Sequence, residues 1–387
     1  MAISLKLVGS DGVEYNYTPS HEPLTSSRRG KFETRVAFAA AHVVVDPART
    51  PDPITQPVID WDRTIAYREH LWSLGFGVAE AMDTAQRGMG LDWPLALELI
   101  KRSTSAATAC DSLVACGAGT DHLSTKQSVT LQDVTNAYLK QCDAIEGVGG
   151  RIILMASRAL AAVARHAEDY ALVYATVLSQ VRQPVILHWL GPMFDPALDG
   201  YWGGTTISEA AGNCLNVIRA HKEKIDGIKI SLLDAEFELS MRRQLPPNVR
   251  MYTGDDLNYD RLILGDEQGY SDALLGIFDA IAPAASLALS ALDANDVPRY
   301  HELLAPTVPL SRLIFASPTQ HYKTGVVFLA YLNGFQSHFR MIGGTESARS
   351  VMHLCELFVL ADRARVLRDP ELAVQRMRAY LQLAGVA

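Results

Sequence analysis

The sequence predicts a (β/α)₈ barrel, and three observations favour that fold class. Short apolar runs alternate with helical patterns about eight times, over about 240 residues, which is close to the size of such a barrel. The runs are continuously apolar, as expected of parallel strands that are buried on both faces. A doubly wound sheet is the alternative, but no Gly-x-Gly-x-x-Gly turn follows the first run.

The apolar runs give the predicted strands in chain order. These runs lie at residues 34–45, 75–82, 112–116, 152–156, 184–189, 225–231, 250–253 and 269–274. Apolar residues at helical spacing predict the connecting helices between them. The helical patterns lie at residues 61–74, 94–100, 131–145, 159–181, 208–222 and 236–244.

Two further parts flank the predicted barrel, which we place at residues 31–282. Residues 1–30 are predicted to form a hairpin and a loop, because residues 3–17 alternate and turn at Ser10-Asp11-Gly12. Residues 283–387 are predicted to be a helical extension with heptad-like apolar spacing. We expect a homo-oligomer formed through these helices or through barrel faces; the alternative is that the helices only cover one face of the barrel.

Composition indicates a cytoplasmic enzyme. The 387 residues carry a net charge of −8 without a dense Lys/Arg run, which argues against nucleic acid and anionic membranes as partners. The five cysteines lack Cys-x-x-Cys spacing, as is typical of a reduced compartment. The start lacks a secretory signal pattern, and Asp279 and Pro283 interrupt the most apolar stretch, so we expect no membrane span.

Lys229 is the most informative residue, because it stands inside the apolar run of residues 225–231. Lysine is among the residues that are least often fully buried without a partner. Loss of solvent favours the neutral amine, which is the nucleophilic form. Lys229 is therefore predicted to form a Schiff base near the end of a strand. The alternative is a lysine at a strand edge that reaches into solvent.

Working residues of such barrels lie at the carboxyl ends of the strands and in the loops that follow. Candidate side chains at these places are His42, Asp83, Thr84, Arg158, His188, Lys229, Asp255 and Ser271. Among them, His188 ends the fifth predicted strand and directly suits proton transfer, because imidazole titrates near neutrality. The alternative for His188 is a core histidine that is bonded to a backbone carbonyl.

Residues 225–231 (Ile-Asp-Gly-Ile-Lys-Ile-Ser) and 251–256 (Met-Tyr-Thr-Gly-Asp-Asp) resemble strands six and seven of the dihydrodipicolinate synthase/N-acetylneuraminate lyase family. Residues 183–187 and 114–120 are similar to its strands five and three, and the resemblance spans roughly residues 35–335. In that family the strand-six lysine forms an imine with a keto substrate. The resemblance implies the same role for Lys229.

Two segments depart from the pattern of the family. The family's Gly-Thr-Thr-Gly-Glu after strand two, which holds a keto-acid carboxylate, is replaced by residues 83–87 (Asp-Thr-Ala-Gln-Arg). The family's Tyr-Asn-x-Pro at the end of strand five, whose tyrosine relays protons, is replaced by residues 188–191 (His-Trp-Leu-Gly). We therefore expect a divergent branch in which His188 replaces the tyrosine and the substrate differs from pyruvate.

The remaining candidates have a substrate-binding and a structural interpretation. Asp83 and Thr84 either bind a substrate hydroxyl or cap the loop. Arg158 either binds a carboxylate or phosphate, or forms a salt bridge to a loop acid. Asp255 either contacts the substrate or orients its loop, and Ser271 is predicted to line the site.

A metal-dependent mechanism fits an overlapping set of side chains. Histidine and carboxylate ligands hold Zn²⁺ or Mn²⁺ in barrel isomerases and aldolases, and the candidates here are His42, Asp83, His188 and Asp255. No His-x-His or His-Glu-x-x-His spacing supports this alternative. A third alternative is a barrel that binds a small ligand without catalysis.

The sequence thus predicts a lyase, aldolase or dehydratase that needs no cofactor. Its substrate is expected to be a small keto compound or a hydroxylated, sugar-like carbonyl compound that reacts with Lys229.

Overall fold

The fold is taken from a computed structural model that describes residues 4–26, 28, 30–123 and 128–386. The chain divides into two compact units. The first unit comprises Met1–Phe76, Thr84–Gly90 and Gly276–Ala387, and the second comprises Gly77–Asp83 and Leu91–Leu275. The predicted division at residues 30 and 282 stays a prediction.

Ten strands are present among the described residues, of which the first two form an antiparallel hairpin and the others form a closed parallel barrel. The barrel order is β10-β3-β4-β5-β6-β7-β8-β9, and the predicted fold class is confirmed. The strands are β1 (Leu5–Val8), β2 (Glu14–Tyr17), β3 (Ala37–Ala40), β4 (Gly77–Glu80), β5 (Val114–Ala118), β6 (Arg151–Met155), β7 (Val185–Leu190), β8 (Ile225–Ser231), β9 (Arg250–Thr253) and β10 (Asp272–Leu275).

Helices connect the barrel strands and continue beyond the last one. They are α1 (Trp61–Ser73), α2 (Trp93–Ala109), α3 (Leu131–Gly147), α4 (Arg158–Val163), α5 (Ala167–Gln180), α6 (Ile207–Ala220), α7 (Ala235–Arg242), α8 (Tyr259–Leu264), α9 (Ile277–Ala280), α10 (Ala282–Asp293), α11 (Val297–Leu304), α12 (Val308–Ile314), α13 (Tyr322–Leu332), α14 (Val351–Arg363) and α15 (Pro370–Leu383). In the part of the chain that the structure describes, no helix has both the length and the hydropathy to cross a bilayer.

Side-chain caps fix where several of these helices begin. Thr130 and Asp133 form a reciprocal capping box at the start of α3.

The single helix predicted over residues 159–181 is wrong, because α4 ends at Val163 and α5 begins at Ala167. Between them the backbone is extended at Ala164, and the Arg165 amide donates to the Asp169 carboxylate instead of continuing the helix.

Ion pairs hold the amino ends of neighbouring barrel strands in the second unit. The Arg250 guanidinium, at the start of β9, lies 3.0 Å from the Asp272 carboxylate and 3.9 Å from that of Asp226. Asp226 also accepts a hydrogen bond of 2.7 Å from the Tyr252 hydroxyl. Charged residues at this end act on stability, because the chemistry of barrels takes place at the opposite end of the strands.

The predicted N-terminal hairpin is confirmed, and it packs in the first unit against α14. The segment after it is tied to the buried carboxylate of Asp362 on that helix. This carboxylate accepts hydrogen bonds from the Tyr17 hydroxyl at 2.8 Å and from the Ser20 and His21 amides at 3.2 and 3.3 Å. A buried charge with several donors holds a segment firmly, since each donor loses its partner if the segment leaves.

Replacement of Asp362 by alanine is expected to release the hairpin from α14. The donors on Tyr17, Ser20 and His21 lose their common acceptor, at a cost of about 2–4 kcal/mol. Limited proteolysis with chymotrypsin should then cleave after Tyr15 and Tyr17 several times faster than in the wild type. Asp11→Ala is the matched control, because within the described residues Asp11 accepts only the Val13 amide in the exposed turn. Equal cleavage rates in the two variants would contradict this account.

Candidate active site

Lys229 lies on β8 in the second unit, and its side chain is buried, with an exposed fraction of only 7% for the residue. The strand register pairs Lys229 with His188 on β7 and with Tyr252 on β9. The predicted bounds of this strand agree with the structure at both ends. The alternative of a solvent-exposed lysine at a strand edge is therefore wrong.

Burial lowers the pKa of the Lys229 ammonium below its ordinary value. The negative charges of Asp256 and Asp83 act in the opposite direction and raise this pKa, but the loss of solvent outweighs them. Asp256 is itself buried, and Asp83 is partly buried in a 3₁₀ turn, Asp83–Ala85. The two carboxylates partly stabilise the charged form of Lys229. Because burial lowers its pKa, Lys229 loses its proton at a pH closer to neutrality than a surface lysine does.

His188 is buried on β7, and its imidazole lies beside a serine of the next strand. His188 Nε2 and Ser231 Oγ are 3.2 Å apart, within hydrogen-bond distance. Burial, and then the positive charge of Lys229, hold the pKa of His188 well below its ordinary value. The imidazole is therefore neutral at pH 7 and has one nitrogen that accepts a proton.

Gly254 follows β9 and leaves the space that the lysine occupies. A Cβ atom at this position would lie 2.7 Å from Lys229 Cε and 2.2 Å from Ser231 Oγ. It would also lie 2.7 Å from the carbonyl oxygen of Ile230, which is backbone and cannot turn aside. The first residue of the Gly-Asp-Asp segment must therefore be glycine, because β8 approaches so closely that no Cβ atom fits.

The two aspartates after Gly254 have different roles. The Asp255 carboxylate accepts hydrogen bonds from the Leu257 and Asn258 amides at 2.9 and 3.1 Å, and from Asn258 Nδ2 at 2.9 Å. These bonds orient the loop, which was the structural alternative for Asp255. Its neighbour Asp256 acts on the charge of Lys229.

Thr84 belongs to the first unit, where its hydroxyl is paired with a tyrosine from a distant helix. Thr84 Oγ1 and the Tyr322 hydroxyl at the start of α13 are 2.7 Å apart. The Tyr322 ring stacks on Phe315 with a centroid distance of 4.3 Å. The substrate-binding role of Thr84 stays a prediction.

His42 also belongs to the first unit, and it forms a buried pair with Asp279. Asp279 Oδ2 accepts the backbone amide of His42 at 2.7 Å and lies 2.8 Å from His42 Nδ1. Nε2 of the same ring has no hydrogen-bond partner among the described residues. Within those residues, no three His, Cys, Asp or Glu side chains are grouped so that they could hold one metal ion.

Two predicted site residues are engaged elsewhere in the second unit. The exposed Arg158 side chain pairs through Nε with the Asp195 carboxylate, which was its structural alternative. Ser271 lies just before β10, at the amino end of that strand, and its hydroxyl donates to Glu238 Oε1 at 2.7 Å. Neither contact brings these side chains to Lys229.

One protein family matches nearly the whole chain. The family described as "Protein of unknown function (DUF993)" matches residues 5–386. The chain belongs to the DUF993 family. A comparison with curated proteins found no relative with significant similarity.

Solved structures show that the DUF993 chain shares the fold of dihydrodipicolinate synthases. The chloride-inhibited enzyme from Acinetobacter baumannii, complexed with pyruvate, is 15% identical, covers 86% of this chain and 100% of its own, and has a TM-score of 0.64. YagE, an E. coli K12 prophage protein of the dihydrodipicolinic acid synthase family, also in complex with pyruvate, is 13% identical with coverages of 91% and 99% and a TM-score of 0.64. The synthase from Oceanobacillus iheyensis is 14% identical with coverages of 85% and 95% and a TM-score of 0.62. The resemblance predicted from the sequence is confirmed at the level of the fold.

Sequence reasoning on the DUF993 chain missed the serine beside His188, and it gave Asp256 only as a residue of the loop after the seventh strand, without its effect on Lys229. Ser231 stands two residues after Lys229, and the period of a strand places residues i and i+2 on one face, so the signal was present. The charge of Asp256 on Lys229 depends on how the loop turns after Gly254, which the sequence does not specify.

Replacement of Gly254 by alanine in this DUF993 protein is expected to displace Lys229 or Ser231. Overpacking beside a backbone carbonyl costs about 1–3 kcal/mol, and thermal unfolding should show a lower Tm. Gly212→Ala is the matched control, because a Cβ there meets no atom within 4 Å and the residue lies inside helix α6. That control should keep or raise the Tm. An unchanged Tm for Gly254→Ala would contradict the close packing.

Proposed function

We propose that this protein is a class I lyase, aldolase or dehydratase that acts on a small carbonyl compound through an imine at Lys229. The observation that carries the proposal is a buried lysine amine whose pKa is lowered by burial, with Asp256 and Asp83 near it and His188 on the adjacent strand. A lysine whose pKa is lowered, and which lies near the end of a barrel strand, is a candidate nucleophile. The likeness to dihydrodipicolinate synthase structures supports the fold on which this chemistry rests.

The neutral Nζ of Lys229 attacks the carbonyl carbon, and a carbon–nitrogen bond forms as the π electron pair moves to oxygen. The oxygen takes up two protons, one released by nitrogen and one from solvent, and leaves as water, which gives an iminium. In cleavage, His188 takes the proton of a hydroxyl on the β-carbon, that hydroxyl becomes a carbonyl as the bond between the α- and β-carbons breaks, and the electron pair moves to the positive nitrogen to give an enamine. His188 then returns its proton to the α-carbon, which restores the iminium. In dehydration, His188 takes a proton from the α-carbon and gives it to the β-hydroxyl, which leaves as water. Hydrolysis of the imine returns the lysine amine.

His188 is the proposed proton carrier in these steps. It is neutral at pH 7 because burial and Lys229 lower its pKa, so it accepts a proton first and then returns it. Ser231, 3.2 Å from Nε2, orients the ring. Asp83 is the proposed contact for a substrate hydroxyl, since the residue is only partly buried and its charge acts on Lys229.

Borohydride reduction tests the imine. With a carbonyl substrate, sodium borohydride should leave a stable adduct on the peptide that contains Lys229, as read by mass spectrometry. Lys323 is the internal control, because it is also buried but its amino group donates to the Gln320 carbonyl at 3.0 Å. The rate of trapping should rise with pH and reach half of its maximum below pH 10.5, because burial lowers the pKa of Lys229 from that value.

The proposal fails if a carbonyl compound that the protein converts leaves no adduct on Lys229. It also fails if Lys229→Met converts that compound as fast as the wild type. An adduct on Lys323 or on surface lysines, without one on Lys229, would also contradict the proposal.

Replacement of His188 by asparagine tests the proton carrier. Turnover should fall by about 10²–10⁴-fold, while slow trapping of the substrate on Lys229 persists. Ser231→Ala, which removes only the partner of the ring, should have a smaller effect. Steady-state kinetics beside single-turnover trapping separates the two steps, and unchanged turnover in His188→Asn would rule out this role.

A further inference from the structure

A small cavity lies within the first unit, and none of the residues around Lys229 lines it. It has a volume of about 40 Å³ and is bounded by α1, by α13 with the segment after it, and by the segment between α14 and α15. That volume exceeds the space that one water molecule needs. It is too small for a nucleotide or a large sugar.

Aromatic rings form one wall of this cavity. The Phe335 ring lies 4.7 Å from the His70 ring and 4.8 Å from the Tyr67 ring, measured between centroids. The Tyr67 hydroxyl is already used, since it donates to the Asp279 carbonyl at 2.7 Å. Leu329 and Val366 complete an apolar interior. The wall therefore suits the carbon skeleton of a small compound.

Two cationic or hydrogen-bonding side chains face the same cavity. Arg368 lies over Phe335, with its guanidinium carbon 5.4 Å from the ring centre. Among the described residues its guanidinium forms no ion pair or hydrogen bond, and neither does the His70 ring. The Arg368 backbone amide donates to Asn333 Oδ1 at 2.8 Å, so the segment that carries the guanidinium is fixed.

Arg368 brings a positive charge to the cavity. Asp279 lines it too, but His42 occupies that carboxylate through its amide and ring nitrogen. Burial, and then the charge of Arg368, lower the pKa of His70 to about 4, although Asp279 raises it. At pH 7 a neutral His70 donates an N–H, and Arg368 supplies a charge and a planar fork of donors, which matches a carboxylate.

The geometry points to a binding site for a small carboxylate, whose anionic group is held by Arg368 and His70 and whose carbon chain lies against Phe335 and Tyr67. This ligand would bind without bonding to Lys229, because the site lies among residues of the first unit. Whether this site binds a carboxylate is therefore independent of whether Lys229 forms an imine.

Propionate is the probe, because it has no keto or aldehyde group that reacts with Lys229. We expect the ring signals of His70 at pH 7, assigned in NMR spectra with a His70→Gln variant, to shift saturably with a Kd of about 10 mM or below. Propionamide has nearly the same size and shape without the charge. It should bind at least about tenfold more weakly, which corresponds to ~1.4 kcal/mol.

Arg368→Gln should weaken propionate binding at least about tenfold, while Arg363→Gln, an exposed arginine at the end of α14, should leave it unchanged. Both residues are exposed, so the variants are expected to fold, which an unchanged Tm verifies. Absence of a saturable shift in the wild type would overturn the proposal. Equal binding of propionamide, or full binding by folded Arg368→Gln, would also overturn it.

Discussion

Removal of the Lys229 ammonium from water is the constraint on which the site depends. Each pKa unit by which burial lowers the value corresponds to ~1.36 kcal/mol between the charged and neutral forms. Asp256 and Asp83 offset part of that cost by their charge. Gly254 leaves room for the side chain, and His188 is kept neutral by the same loss of solvent. One buried amine thus accounts for the residue types around it.

Much of the fold could be predicted, because buried parallel strands have a strong local signal. The bounds of β8 and β9 agree with the predicted runs 225–231 and 250–253. The break between α4 and α5 could not be seen, because residues 159–181 keep apolar spacing through it and the bond from Arg165 to Asp169 is a local detail. The short α8 was also missed, since six residues give too little periodicity.

Strand position alone was enough to place two of the candidate residues side by side in the barrel. Lys229 and His188 are paired across β7 and β8, as their places in consecutive strands imply. Ser271 was placed inside the eighth barrel strand because the predicted run began at residue 269. The strand β10 begins only at Asp272, so Ser271 lies at its amino end. The Thr84 contact with Tyr322 joins residues 238 positions apart, and no local pattern indicates such a pair.

The ionisation of Lys229 tests the central claim most directly. In protein labelled with ¹⁵N at lysine side chains, the Nζ signal that is lost in Lys229→Met can be followed as a function of pH by NMR. We expect a midpoint below the ordinary value of 10.5, because burial outweighs Asp256 and Asp83. A midpoint at or above 10.5 would mean that the carboxylates prevail, and would contradict a lysine that is prepared for nucleophilic attack.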